Sequence, residues 1–464
     1  MAFLSKSRVT AGWQCEKLLW WTVHEPGARE LESNKVLDDL FSQSLQVEEL
    51  ARQHFIAAGA PARFQQPFEA GGVAVVVDVL LEDGPGWILV EVKSSTKVKD
   101  EHIPDAAIQA WVLGQAGLHV TRVEIMHLNP AYRHPGQGSL LVREDVTGAV
   151  RDFFPNIPDL VARLAGALKG PLPGTKVGIH CYEPRDCVFE GRCWPDDPLH
   201  IRHLYNVGPR KTVSYLASGV HFIRDLPQGA RLPFAARRQI RAIAENRLIV
   251  EPTLAEALAP FESPLGFLDF ETVYRAVPVW DGLAPWGQAT AQFSYHEEQG
   301  DGEHHHVGWL AEGPGDPRRE LAEAMLEATA GARRIVTYSC FEKVRIRELQ
   351  SLVPDLAAPL EELLGKLVDL LPVVRDNVYH PDFRGSFSLK SILKPLVHDL
   401  DYSDLVIVDG RLASVEIARL LFVAHKIPVA ERDRLRKDLL DYCERDTWAT
   451  VRLMQRLREF AGLS

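Results

Sequence analysis

The stretch Val73-Ala-Val-Val-Val-Asp-Val-Leu-Leu-Glu-Asp-Gly-Pro-Gly-Trp-Ile-Leu-Val-Glu-Val-Lys93 reads as two strands joined by a turn. Both arms are rich in β-branched residues, and Glu82-Asp-Gly-Pro-Gly86 between them is strong turn chemistry. A turn centred between Gly84 and Pro85 sets residues whose numbers sum to 169 opposite each other. Asp78 then faces Glu91, and Lys93 shares that face because strand side chains alternate with period two. Two carboxylates and an amine on one sheet face can hold a divalent cation and position a water. The neighbours Val76, Leu80, Leu89 and Val90 are all apolar, which argues against a solvent-facing strand decorated with charge.

Working outward, helical patterns run to Gly59 and the period changes near Phe64. Helical spacing resumes from Asp105 to Leu118, and another strand is predicted at Val123–Leu128. Further along, Leu265–Glu271, Ala291–His296, Val307–Leu310 and Arg333–Tyr338 read as strands, and the remainder to Ser464 is mostly helical. The fold class is therefore α/β, with two α/β units.

The chain has 464 residues, enough for two or three domains. Apolar residues make up 46% and charged residues 25%, so a globular chain is expected rather than a disordered one. The formal net charge of -11 excludes a whole-molecule basic field, though not a local one. No apolar run is long enough to cross a membrane, and the N-terminus shows no export signal. Six cysteines without such a signal argue against a disulfide framework, and a cytoplasmic protein with no membrane partner is expected.

A local basic field does exist. Between Ile201 and Val250 lie nine cations, among them Arg210, Lys211, Arg237 and Arg238, opposed only by Asp225 and Glu245. The expected organisation is a first domain at 1–198, a small basic helical connector at 199–260, and a second domain at 261–464; the connector reads either as a solvated linker, which charge asymmetry alone favours, or as a phosphate-contacting module.

Cys15 near the start and Cys181, Cys187 and Cys193 at the end of the first block could close it like a staple. Four thiolates suit either zinc or an iron–sulfur cluster. Cys340 and Cys443 lie outside the block and read as ordinary buried thiols.

A second acidic set lies in the C-terminal half. Asp269 and Glu271, spaced i, i+2 on a predicted strand, share one face with Phe267, while Leu268 and Phe270 point to the other. Two acids on so apolar a strand are costly to bury unless a cation compensates them. Tyr442 and Asp446 are i, i+4 neighbours on a predicted helix, and Tyr338-Ser-Cys-Phe-Glu342 supplies another acid. Four such carboxylates can hold two divalent ions about 3.5–4 Å apart, clamping the attacking and leaving oxygens of a phosphodiester. The tyrosine hydroxyl can orient a water.

The Asp78-(x)12-Glu91-Val-Lys93 pattern resembles the RecB-like branch of the PD-(D/E)xK nucleases. That resemblance implies a following helix bearing Gln109, with Leu113 where the family has tyrosine, and an acidic or histidine ligand on the first helix from among Glu48, Glu49 and His54. It also implies a [4Fe–4S] cluster on Cys15, Cys181, Cys187 and Cys193, preferred to zinc. The set Asp269, Glu271, Glu342, Tyr442 and Asp446 resembles the tyrosine-type DEDD exonucleases of ribonuclease H-like fold. This second resemblance implies 3′-to-5′ removal of nucleotides with Mg²⁺ or Mn²⁺, with Glu342 replacing the usual aspartate. The whole chain resembles an uncharacterised bacterial family that pairs these two units. Within it, Val368–Arg375 and Gly385–Lys390 are typical of the exonuclease half, and Ser386, Ser388 and Lys390 are placed to contact a strand phosphate. For the two serines, capping a helix that begins near Leu389 is an equal alternative, as capping is for Asp369. Val207-Gly-Pro-Arg-Lys211 resembles a short helix–hairpin–helix phosphate binder.

The chain carries no phosphate-binding loop of the Gly-x-x-x-x-Gly-Lys-Ser/Thr type, so any ATP-driven unwinding falls to a helicase partner. His304-His-His306 is placed at a polar hairpin tip rather than in a metal site. The expectation is a DNA nuclease of repair, recombination or defence. The rivals are a nucleic-acid-binding scaffold with one or both sites inactive, and an RNA-processing exonuclease.

Overall fold

The computed structural model describes residues 4–300 and 302–463. The first three residues of the segment read for an export signal, and residue 301 of the predicted hairpin tip, lie outside the described residues. The chain divides into two compact units, Met1–Pro195 with Arg275–Gly287, and Asp196–Tyr274 with Gln288–Ser464. Both are α/β. Among the described residues no helix is long and apolar enough to cross a membrane.

In the first unit, β1 (Leu4–Ser5), β2 (Ala62–Ala70), β3 (Val73–Asp83), β4 (Gly86–Lys93), β5 (Val120–Leu128) and β6 (Leu141–Asp145) share a sheet. Its order is β1-β3-β4-β5-β6, with β2 also on β3. The β3–β4 hairpin pairs Val79 with Val90 through to Asp83 with Gly86, the register that the turn chemistry predicts. β4 and β5 are parallel, so they need a crossover, which the helix His102–Gln115 supplies. One sheet face packs Val75, Val77, Leu89 and Ile125 against Ile108, Val112 and Leu113 of that helix. The other packs Val79, Val90 and Met126 against Val47, Ala51 and Phe55 of the helix Lys35–Ala57. Leu113 stands fully buried where the resemblance implies tyrosine, because its side chain points into the core. The strand β2 is not visible in the apolar pattern: Ala-Arg-Phe-Gln-Gln-Pro-Phe-Glu-Ala alternates in burial but carries two glutamines and a proline.

Arg275–Gly287 packs within the first unit. Arg275 Nη1 lies 2.7 Å from Asp39 Oδ1, the Ala276 amide donates to Gln43 Oε1 at 2.6 Å, and Trp286 Nε1 donates to the Ser94 carbonyl at 2.6 Å.

The second unit contains β7 (Ile249–Val250), β8 (Leu265–Tyr274), β9 (Gln288–Glu298), β10 (His304–Leu310), β11 (Arg334–Thr337), β12 (Leu367–Asp369) and β13 (Val378–Tyr379). Five of these form a sheet of order β10-β9-β8-β11-β12, and β7 pairs with β13. β8 is the middle strand, antiparallel to β9 and parallel to β11. Its two faces divide as predicted: Leu268 and Phe270 pack with Leu321, Met325 and Ile346, whereas Phe267 packs with Leu453 and Leu457 of the C-terminal helix Val429–Phe460.

The basic stretch expected as a separate connector, 199–260, is part of this second unit. Its attachment is polar as well as apolar. Arg238, only 8% exposed, donates to Glu251 and to the carbonyls of Arg375 and Asp376. Ile249 and Val250 pair with Tyr379 and Val378.

Candidate functional sites

In the second unit, β8 and the C-terminal helix bring Asp269, Glu271 and Asp446 together, one carboxylate oxygen of each within 4.8 Å of the others. Burial raises all three pKa values, and repulsion from neighbouring acids adds to it at two of them: Asp269 lies well above the usual range and Glu271 at about 8, while Asp446 moves upward through burial against the pull of Tyr402, Lys390 and Tyr442. Without a cation, the site therefore holds protons at neutral pH. Three groups steady it. Tyr402 donates its hydroxyl to Asp446 Oδ1 at 2.5 Å, Lys390 Nζ donates to Tyr442 Oη at 2.9 Å, and Lys390 lies over both tyrosine rings at 4.8 Å. Tyr442 is also hydrogen-bonded to Asp446.

Glu342 stands at the start of the helix Phe341–Leu352 and is 3% exposed, with Oε2 buried and unpartnered. Burial pushes it to about 8, and its charge raises both Asp269 and Glu271, although it lies outside the close trio. Asp369 does not join the acids, since its Oδ1 accepts from the amides of Leu371 and Ser339 and so caps the helix Leu370–Asn377. Ser388 likewise caps Leu389–Leu396. A cavity of about 500 Å³ opens beside the trio, lined by Asp269, Asp446, Tyr205, Arg375, Ser388 and Lys390 among others.

Of the two thiols expected to be buried, one is and one is not. Cys340 is exposed, not buried, because it falls just before the helix start at Phe341. Cys443 is buried, but its Sγ is directed at Asp269 Oδ2, 3.7 Å away.

In the first unit, Glu91 is 1% exposed and accepts from Lys93 Nζ at 2.7 Å, Lys6 Nζ at 2.8 Å and Gln109 Nε2 at 2.5 Å. Burial opposes its ionisation, but the two ammonium groups win and hold it well below the usual carboxylate range. Asp78 accepts from the Val92 amide at 2.9 Å, and burial together with the Glu91 charge raises it to about 7. Lys93 also pairs with Asp105 at 2.5 Å. Of the three first-helix candidates, Glu48 is the one that senses this site: burial and Glu91 raise its pKa. Glu49 instead pairs with Arg52 on the surface.

Lys6, Asp105 and Tyr402 belong to these sites and were not singled out from the sequence. Lys6 stands in Ser5-Lys-Ser7 and Asp105 in a helix start, patterns that carry no signal by themselves.

Cys15, Cys181, Cys187 and Cys193 line one small pocket with Trp21 and Phe189. Cys15 sits between the helices Lys6–Gln14 and Glu16–His24, and the Cys187 amide donates to the Cys181 carbonyl at 2.9 Å. Burial pushes the Cys187 thiol up to about 11, and the other three thiols add to the rise.

The phosphate-contact residues divide. Arg210, Lys211 and Arg237 are exposed, with Lys211 over Tyr215 and Arg237 over Phe234. Arg238 is committed to Glu251 and two carbonyls, so it is structural rather than available to a phosphate. Lys390 belongs to the acidic site.

The His304-His-His306 tract, expected at a hairpin tip, lies on β10, where His306 pairs with His296 of β9. The tip itself is shorter, because the β9–β10 ladder continues to the Glu298–His304 pair.

Residues 266–388 match a family described as "Domain of unknown function (DUF2779)". No curated protein matches the chain. A solved structure titled "Crystal structure of SSO0001" is similar at 13% identity and a TM-score of 0.27, over 41% of this chain and 85% of that one. Likeness at that level carries no argument about fold or function.

Proposed function

We propose that the chain is a metal-dependent nuclease with two sites, a RecB-like PD-(D/E)xK unit and a ribonuclease H-like DEDD exonuclease unit of the tyrosine type. The observation that carries the reading is the convergence of Asp269, Glu271 and Asp446, distant in sequence, beside an open cavity lined by Lys390, which donates to Tyr442. Three clustered carboxylates, Glu271 buried and the two aspartates half-buried, are unfavourable without a compensating cation, and a divalent ion resolves the conflict. Asp269, Glu271 and Asp446 would hold Mg²⁺ or Mn²⁺, with Glu342 behind them. The bound ion would polarise a phosphodiester and activate water. Tyr442, hydrogen-bonded to Asp446, would orient the water, and Lys390 would balance the negative charge of the strand.

In the first unit, Asp78, Glu91 and Glu48 are the candidate metal ligands, Lys93 the charge stabiliser and Gln109 the group that orients Glu91. Cys15, Cys181, Cys187 and Cys193 fit a thiolate-bound group, and a [4Fe–4S] cluster is our reading, with zinc as the alternative. DNA is the proposed substrate, in repair, recombination or defence, and a helicase is the proposed source of unwinding.

One observation favours a second reading for the first unit. Lys6 Nζ rests on Glu91 Oε1, where a cation would be held, as expected of a unit that binds nucleic acid without cutting it. Labelled single- and double-stranded DNA and matched RNA, incubated with Mg²⁺ or Mn²⁺, test both readings. We expect DNA cleavage by the native chain, with Asp269→Ala reducing the second unit's share, the release of mononucleotides from a single strand, about 100-fold or more. An Asp78→Ala variant that cuts as well as the native chain would mark the first unit as a binder. A native chain that leaves every substrate intact would overturn the proposal.

A further inference from the structure

We propose a second divalent-metal site in the C-terminal unit, formed by His296 of β9, His306 of β10 and Glu444 of the C-terminal helix, for a borderline ion such as Zn²⁺. One ligand atom from each residue lies within 4.8 Å of the others, and none of the three belongs to the acidic trio.

The hydrogen bonds around the two imidazoles point the same way. His296 Nδ1 meets Thr447 Oγ1 at 2.9 Å, His306 Nε2 meets Ser294 Oγ at 3.0 Å, and the two hydroxyls meet at 2.7 Å. Thr447 Oγ1 also donates to the Glu444 carbonyl at 3.0 Å, a helix back-bond. With its one proton spent there, Thr447 accepts from His296 Nδ1–H and from the Ser294 hydroxyl, and Ser294 accepts from His306 Nε2–H. Every partner is then satisfied, and the lone pairs of His296 Nε2 and His306 Nδ1 are left unused. Metal-binding histidines are held in this way, with the far ring nitrogen donating to a fixed oxygen.

The carboxylate completes the case. His306 Nδ1 lies 3.8 Å from Glu444 Oε1, too long for a hydrogen bond. A lone pair facing a carboxylate at that range is repulsive unless a cation lies between them. Two imidazoles and one carboxylate are a donor set suited to Zn²⁺ with a fourth position open. The ion would tie the β9–β10 hairpin to the helix that carries Asp446.

The test is Zn²⁺ binding by the full-length chain, read as metal equivalents retained after dialysis and as affinity by calorimetry. Any Zn²⁺ held by the cysteines or the acidic trio is common to the native chain and the variants, so the difference reports this site. His306→Ala is expected to lose one equivalent, and Glu444→Gln, at a side chain that is 47% exposed and so safe for folding, to bind that equivalent at least tenfold more weakly. Imidazole scattering in the zinc X-ray absorption spectrum should fall in His306→Ala. Folded variants that bind Zn²⁺ as the native chain does would overturn the proposal.

Discussion

At the residue scale the decisive feature is carboxylates held above their ordinary pKa. Glu271 and Glu342 sit near 8 in the folded chain through burial, against about 4.3 in an unfolded one. The folded state thus binds more protons across that window, and the metal-free chain should lose stability as pH rises from about 4 through about 8. A divalent ion replaces those protons, so Mg²⁺ or Mn²⁺ should raise the Tm at pH 8 far more than at pH 5. Asp269→Asn removes the repulsion and should stabilise the metal-free chain at pH 8 by about 1 kcal/mol or more, roughly 2–4 °C in Tm. Thermal melts across pH, with and without Mn²⁺, measure both. A metal-free Tm that climbs toward pH 8 would contradict the site's electrostatics. Much of this was legible beforehand: Asp269 and Glu271 share a strand face by simple alternation, and Tyr442 and Asp446 share a helix face. Lys6 and Asp105 were not, because each reaches Glu91 or Lys93 from an element whose approach is set by tertiary packing.

At the element scale the hairpin from Val73 was the easiest part to read. Its turn residues fix the register from Val79–Val90 to Asp83–Gly86, and just beyond that ladder Asp78 accepts from the Val92 amide beside Glu91. The strand β2 hid behind polar residues, and the basic stretch gave no sign that Arg238 anchors it to the C-terminal half. Gly385 marks how that anchoring continues. Its φ is +77°, and a Cβ there would lie 2.0 Å from the His203 carbonyl oxygen. Gly385→Ala should therefore destabilise the second unit by about 1–3 kcal/mol, through left-handed strain and the backbone clash together. Chemical denaturation checks this, and an unchanged midpoint would show that the two segments do not meet as described. The same segment carries Ser388 and Lys390, so loss of Mg²⁺-dependent activity should accompany the loss of stability.

For the whole molecule, the proposal assigns a separate chemistry to each of two compact α/β units on one chain. If the four cysteines hold a cluster, Cys187→Ser should abolish the brown colour and the iron of anaerobically purified protein, leaving Mn²⁺ stabilisation of the second unit intact. Colourless native protein containing one zinc would replace the cluster with a structural zinc. The central claim is that Asp269, Glu271 and Asp446 together cut phosphodiesters. The rate at which the full-length chain releases mononucleotides from a labelled single strand in Mg²⁺ tests it most directly. The account predicts steady release that Asp446→Asn slows about 100-fold or more; no release by the native chain, or equal release by the variant, would contradict it.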